Sequence, residues 1–506
     1  MLRLRIRCTI HLQPGRSVHL YSRSCRWNWD IGIKQYDANN ASGTLTGHVD
    51  FKDFVGGNWL VPIGVEILQN GSMIGAERIY LMFSRKDRHV IRELAKEVAE
   101  ISALPIMEER KHLWTLHNSL KPCRPLILIF PQGSWRELIR AEDLTCVDEE
   151  ARNIELALLR EIYTFHHFCS DNVVECTWDV HPVIESTGWG LEPHYHNSSD
   201  PNGAWGFDPV INKFSDLAKL RHPEIAYDHQ ATMRSIDQLQ DLFGDILEVR
   251  FCGIRRVTFA LMEQYVKLRG LEQVMMDMYL EPQMLHEAME FLTQGHKKLI
   301  DQIRALNLYR LNNDNTFQSS GGNGYTTDLP AEGFDPDHVR TKDMWAFAES
   351  QELAEVSPEM HEEFALSYEK RLLSEFGLNG YGCCEDLTKK LDYVLQIPNI
   401  RRISISPWAD VDACAEKLGR NYIFSWKPNP SHLVGDFNPV RIREYIHHTI
   451  EVAGEGNLEI VLKDTHTCEH HGDRFDQWSR INMEEVLAFA EVEFIRYSSE
   501  LHFGRK

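Results

Sequence analysis

Nothing in the sequence stays apolar long enough to cross a bilayer. The longest apolar runs, such as PLILIF and LVPIGV, fall far short of the roughly 20 residues a membrane helix needs. Positive charge is also scarce. Lys and Arg number 54 against 75 Asp and Glu in 506 residues, a net charge of −21. That deficit argues against gripping a nucleic-acid backbone or an anionic membrane surface, since both need clustered cations. The 11 cysteines are odd in number and scattered, so they form no disulfide framework. They suit a reducing, cytoplasmic setting in which most thiols are small core residues. Acid is missing from residues 1–29, which hold six Arg, a composition shared by mitochondrial presequences. The period-two alternation of LRLRIRCTIHLQ, followed by PGRS, favours an ordinary strand pair instead. No internal repeat or low-complexity segment stands out. The glycine-rich SSGGNGYTTDLP (319–330) lacks the Lys-Ser/Thr of a phosphate loop and reads as a mobile loop over a site.

Two kinds of patterning are present. Residues 1–85 hold short alternating runs separated by NNASG, VGGN and QNGS, the pattern of a small β-rich, sandwich-like domain. Near residue 86 the period lengthens to that of a helix, and strand and helix then alternate to the end of the chain. Eight strands are expected: 126–130, 172–180, 245–251, 308–314, 378–384, 401–407, 421–426 and 457–464. EQVMMDMYL is read as helix because Met and Leu favour it. The implied fold for 86–506 is a (β/α)8 TIM barrel.

Barrel sites lie at the carboxyl ends of the strands, so the strand list becomes a site list. The ends carry TWDVHP, RFCG, NNDN, GCCED, SPWAD, SWKPN and KDTHTC. From these, Lys427, Lys463, Asp314, Asp464 and Glu385 are candidate catalytic groups. Trp178, His181, Arg250, Asn313, Trp408, Asp410, Trp426 and Asn429 are candidates for holding a substrate. The two lysines serve either as anion binders, bases or Schiff-base amines, or as salt-bridge partners of Asp464 or Asp410. The tryptophans form either an aromatic wall or ordinary packing. EPHYHN (192–197) is an H-x-H sequence, which binds metal in some settings and is an exposed polar loop in more of them.

From residue 370 the order of pieces YGCCE, SPWAD, KPNP and KDTHT resembles the uroporphyrinogen decarboxylase-like barrel superfamily. That superfamily includes the decarboxylase, zinc-dependent corrinoid methyltransferases and cobalamin-independent methionine synthase. The resemblance implies a zinc site with Cys384 at the place of the family's strand-end cysteine and Cys468 at the last strand. Gly382 stands where the family has histidine, so His466, Glu385 or Cys383 would have to supply the missing ligand. The activity implied is metal-assisted transfer of a methyl group to or from a small molecule, with any corrinoid carried by a separate protein. A homodimer is the common state of such barrels. The first strand ends in IFPQGSW, without the arginines that grip a tetrapyrrole in the decarboxylase. A metal-free decarboxylase or lyase of a small carboxylic acid, built on Lys427, Lys463 and Asp314, is the alternative. A non-catalytic ligand-binding barrel is the third expectation.

Overall fold

The computed structural model describes residues 83–196 and 206–492 in full. Of the rest it gives the course of strands before residue 80 and of the last helix, Asp473–Phe503. The chain divides into two units, residues 1–92 with 145–155, and residues 93–144 with 156–506. In the first unit Arg3–Ile10 pairs antiparallel with Gly43–Asp50, and Arg16–Ser24 pairs with Ile63–Gln69 and with the short Trp27–Asn28 rather than with Arg3–Ile10. The sandwich expected for residues 1–85 depends on side chains outside the described residues.

The second unit is a mixed α/β structure. Its strands are β1 (Leu126–Ile129), β2 (Thr177–Val180), β3 (Glu248–Phe251), β4 (Thr258–Phe259), β5 (Trp345–Ala348), β6 (Leu378–Tyr381), β7 (Ile400–Ile405), β8 (Ile423–Trp426) and β9 (Asn457–Leu462). Seven of them form one parallel sheet in the order β4-β5-β6-β7-β8-β9-β1, while β2 and β3 form a separate parallel pair. Strands β1, β5, β6, β8 and β9 are buried throughout, as parallel strands covered on both faces must be. Helices intervene along the chain, among them Glu149–His167, Pro282–Ala305, Val411–Leu418 and Pro439–Ala453. The EQVMMDMYL segment lies in the helix Leu271–Leu280.

Closure into a barrel is not what the strand ladders show. Side chains take over backbone partners where further strand pairing was expected. At β1, Ile127 N donates to the Asp171 carboxylate at 2.8 Å and Ile129 N to Asn172 Oδ1 at 3.2 Å. The expected strand at 308–314 is not a strand; Tyr309 makes one isolated bridge to Ile254. There Asn312 bonds through its side-chain amide to Arg255 O and Trp345 O, and accepts from Trp345 N at 2.9 Å. Asp and Asn side chains compete with ladders in this way because they carry their own donors and acceptors. In its place β5, the unexpected WAFA strand, joins the sheet.

The glycine-rich stretch is a plug rather than a lid. Residues 320–326 are buried, and the chain passes directly against Arg402 of β7 and Glu459 of β9. A Cβ at Gly321 would collide with the Arg402 side chain, and one at Gly322 would meet Glu459. Glycine is therefore required by close approach at these two positions.

Arg402 and Glu459 are themselves fully buried, with Nε and Oε1 3.0 Å apart. Arg402 Nη2 also donates to Asn118 Oδ1 and Asn323 O, and Glu459 Oε2 faces His117 Nε2 at 3.2 Å. Breaking a buried pair leaves one charge uncompensated. Glu459→Gln is expected to lower the free energy of unfolding by about 3–5 kcal/mol, measured as an earlier urea midpoint with unchanged slope.

Candidate active site

Because β5 to β9 run parallel and adjacent, their carboxyl ends place one residue after another along a single rim. Glu349 follows β5, Cys383 and Cys384 follow β6, Lys427 follows β8, and Lys463 follows β9. Period-two alternation puts Ser425 and Lys427 on the same side of their strand. Lys427 is only 3% exposed, and its Nζ donates to Ser425 O at 2.7 Å and to Ser425 Oγ at 2.6 Å. The Ser425 hydroxyl in turn donates to Glu459. A line of hydrogen bonds thus runs from the Arg402–Glu459 pair to the lysine at the rim.

Burial brings Lys427 down to about 7 from an ordinary 10.5; Glu459 opposes the shift, while nearby Lys463 adds to it. Glu349 moves the other way. Burial, then the neighbouring Cys383 and Glu385, push its carboxyl up to about 9. Glu352 rises to about 7, again by burial first. At neutral pH the rim therefore holds a protonated acid and an amine that gives up its proton readily. Oε2 of Glu349 and Oε1 of Glu385 are buried with no hydrogen-bond partner among the described residues. Buried carboxylate oxygens without partners are the kind of group a ligand satisfies.

Lys463 is 8% exposed and donates to Cys383 Sγ at 3.5 Å, with Asp464 Oδ2 also 3.5 Å away. Burial would weaken its charge, but the thiols and Asp464 outweigh burial, and Lys463 stays cationic. Cys384 is the exposed thiol of the two, and Cys383 is half-buried. Their sulfurs lie 3.6 Å apart, and Cys384 Sγ lies 3.8 Å from Asp464 Oδ2. A hydrogen bond from Cys383 lowers the Cys384 thiol, whereas that same bond and burial raise Cys383.

Lys427, Lys463, Asp464, Glu385 and Cys384 thus come together at one rim. Asp314 does not join them. It pairs with Arg255 and lies 3.9 Å from Arg250, in a separate ion-pair cluster with Asp179. Arg250 is therefore already matched by carboxylates. The three tryptophans form no common wall. Trp178 packs edge-on against Phe243, Trp426 is buried against Tyr445, and Trp408 is 71% exposed. Asp410 caps the helix Val411–Leu418 by accepting from Ala413 N, Asn429 Oδ1 accepts from Ser431 N, and Asn313 donates to Leu329 O. His181 Nδ1 faces Cys252 Sγ at 3.1 Å. Of the H-x-H histidines, His196 pairs with Asp208 at 2.7 Å on an exposed strand.

The zinc ligands implied by the family resemblance are not gathered. Cys468 is buried and its Sγ donates to Glu137 at 3.2 Å, while His466 is exposed. Among the described residues no three His, Cys, Asp or Glu side chains are placed to hold a metal ion. Two backbone features account for this. Asp464 has φ +59°, so the chain leaves the extended course of its strand before it reaches His466 and Cys468. Gly382 has φ +96°, and a Cβ there would lie 2.7 Å from Leu387 Cδ1, leaving no room for the family's histidine. The residues present do not fit the zinc site.

Glu349 was missed in the sequence, although its signal is there. MWAFAE ends an apolar run on an acid, as the other rim strands end on polar groups. Ser425 was missed because an interior serine carries no motif. The helix Leu271–Leu280 also borders an open depression of about 630 Å³, lined by Leu271, Met275, Met276 and Tyr279 among others. It carries one acid and no convergent polar groups, so the rim is the candidate site.

No family model and no curated protein matches the sequence. Among solved structures, the chain is similar to a methyltransferase from Methanosarcina mazei, with a TM-score of 0.42 and 11% identity. That match covers 74% of this chain and 98% of the other. No residue role passes between chains at that distance. Among the described residues no helix is long and apolar enough to cross a membrane.

The raised Glu349 carboxyl has a consequence for stability. In the unfolded chain it ionises near 4.5, in the folded chain near 9. Between those values the folded state binds more protons, so this group's contribution to stability falls as pH rises. Glu349→Gln is expected to flatten that decline. The variant's thermal midpoint should gain on the wild type between pH 5 and pH 9, read by calorimetry at both.

Proposed function

We propose that the rim is the active site of a lyase that decarboxylates a small 3-oxo carboxylic acid through a Schiff base on Lys427. The observation that carries this reading is the buried Lys427 amine, brought to about 7 beside a second cation, Lys463, on a rim that also carries Glu349, a carboxyl held protonated to about 9. Desolvation together with a neighbouring cation is a recognised way to make lysine a nucleophile at neutral pH. Groups whose environments push their proton affinities apart take acid and base roles.

The roles follow from position. Lys463 draws in the anionic acid. The neutral Lys427 amine attacks the carbonyl carbon, and loss of water gives an iminium. The electron pair from the bond to the departing carbon dioxide moves into that iminium. Glu349, protonated, returns a proton to the carbon. Hydrolysis then frees the amine. Asp314, bound up with arginines, has no part in this scheme.

A second reading has an observation of its own. Cys384 is exposed and its thiol is lowered by Cys383, so it is fitted to accept a methyl or similar group without a metal. The donor would be a small molecule or a corrinoid on a separate protein.

Borohydride reduction in the presence of acetoacetate, as a simple 3-oxo acid, separates the two readings. Covalent attachment at Lys427, found by peptide mass and absent in Lys427→Arg, is expected. Lys463→Met should weaken trapping at pH 7 at least several-fold by removing the cation that lowers Lys427. Trapping that persists in Lys427→Arg, or none with any 3-oxo acid, counts against the lyase. Methylation of Cys384 by a methyl donor would move the assignment to group transfer.

A further inference from the structure

The two thiols at the rim are not used as reactants in the amine chemistry above, yet their setting is specific. Their sulfurs are 3.6 Å apart, in contact and at the end of a strand. The backbone between the strand and the thiols is held at both of its polar atoms. Cys383 N donates to Glu385 Oε2 at 2.8 Å, and Cys383 O accepts from Ser404 Oγ at 3.1 Å. Gly382, with φ +96°, supplies the bend that turns the strand end toward the rim. One thiol is exposed and the other half-buried against Lys463 Nζ at 3.5 Å. Among the described residues, every cysteine is a free thiol.

We propose that Cys383 and Cys384 form a thiol–disulfide exchange site that reduces a low-molecular-weight disulfide. The exposed Cys384 attacks one sulfur of the small disulfide. The sulfur–sulfur bond of that molecule breaks, one small thiol leaves with the proton, and a mixed disulfide remains on Cys384. Cys383, in contact behind it, then attacks Cys384 Sγ and expels the second small thiol. The protein loses two thiol hydrogens and the small disulfide gains them, so atoms and electrons balance. The product is a disulfide between neighbours in sequence. Such a ring is strained, so the product is a labile disulfide rather than a structural staple, and an excess of the small disulfide drives its formation. The order of events follows from access, since only the exposed sulfur meets an incoming molecule first.

The proposal does not depend on the Schiff-base reading, and its test reads mass rather than turnover. Reduced full-length protein is treated with oxidised glutathione, quenched in acid and mapped without reductant. The wild-type peptide carrying both residues is expected to lose two hydrogens and to retain no glutathione. Cys383→Ser is expected to keep one glutathione on Cys384, and Cys384→Ser to leave Cys383 unmodified. Glutathione retained on Cys384 in the wild type would overturn the proposal, because Cys383 would then not resolve it. So would an unmodified peptide, or a disulfide joining either residue to another cysteine. Because the wild type by itself gives a deciding result, the test stands even where a variant fails to fold.

Discussion

The Arg402–Glu459 ion pair is the constraint on which the interior of the second unit depends. Two opposite charges, both fully buried, hold adjacent parts of the sheet across β8. Isolated, either would be very costly to desolvate, and polar groups from several elements are drawn toward them. His117 and Asn118 come from a helix, Asn323 from the glycine-rich plug, and Ser425 from the strand between. The plug can approach only because Gly321 and Gly322 have no side chains. The pair therefore decides the course of a loop that composition alone would place outside.

The same pair sets the chemistry at the rim. Glu459 accepts from Ser425, and Ser425 receives Lys427, so the lysine is anchored at a polar column that reaches into the sheet. Its charge is disfavoured by burial more strongly than Glu459 supports it. Lys463 sits in a different balance. It faces two sulfurs and Asp464, and remains cationic. Two lysines on neighbouring strands are thus shifted in opposite directions, and the difference comes from burial and from which charged groups surround each.

Much of the fold was legible. Of the strands that read clearly, LILIF is a continuous apolar run, and RRISIS, NYIFSW and NLEIVL are short stretches rich in the branched and aromatic residues that strands favour. WAFA was not legible because four residues show no period, and LYRLNND misled because its apolar start mimics a strand. Asn312 then spends its side chain on partners that a ladder would have used. The rim residues were legible wherever a strand was, since the carboxyl end of each parallel strand points to the same edge. Glu349 was lost with its strand, and Asp314 was placed among the strand ends by a strand that does not form.

The amino-acid sequence by itself determined the alternation of strands and helices and the polar groups that end the strands, because both are local patterns of hydrophobicity. It also determined that Cys383 and Cys384 are neighbours at a strand end. Only the tertiary structure decided which of those ends meet. Whether Cys384, His466 and Cys468 converge depends on two backbone turns, at Gly382 and Asp464, that no spacing rule reveals. Whether Lys427 is a charged anchor or a poised amine depends on its burial and on Lys463, a residue far away in sequence and adjacent only through the order of strands.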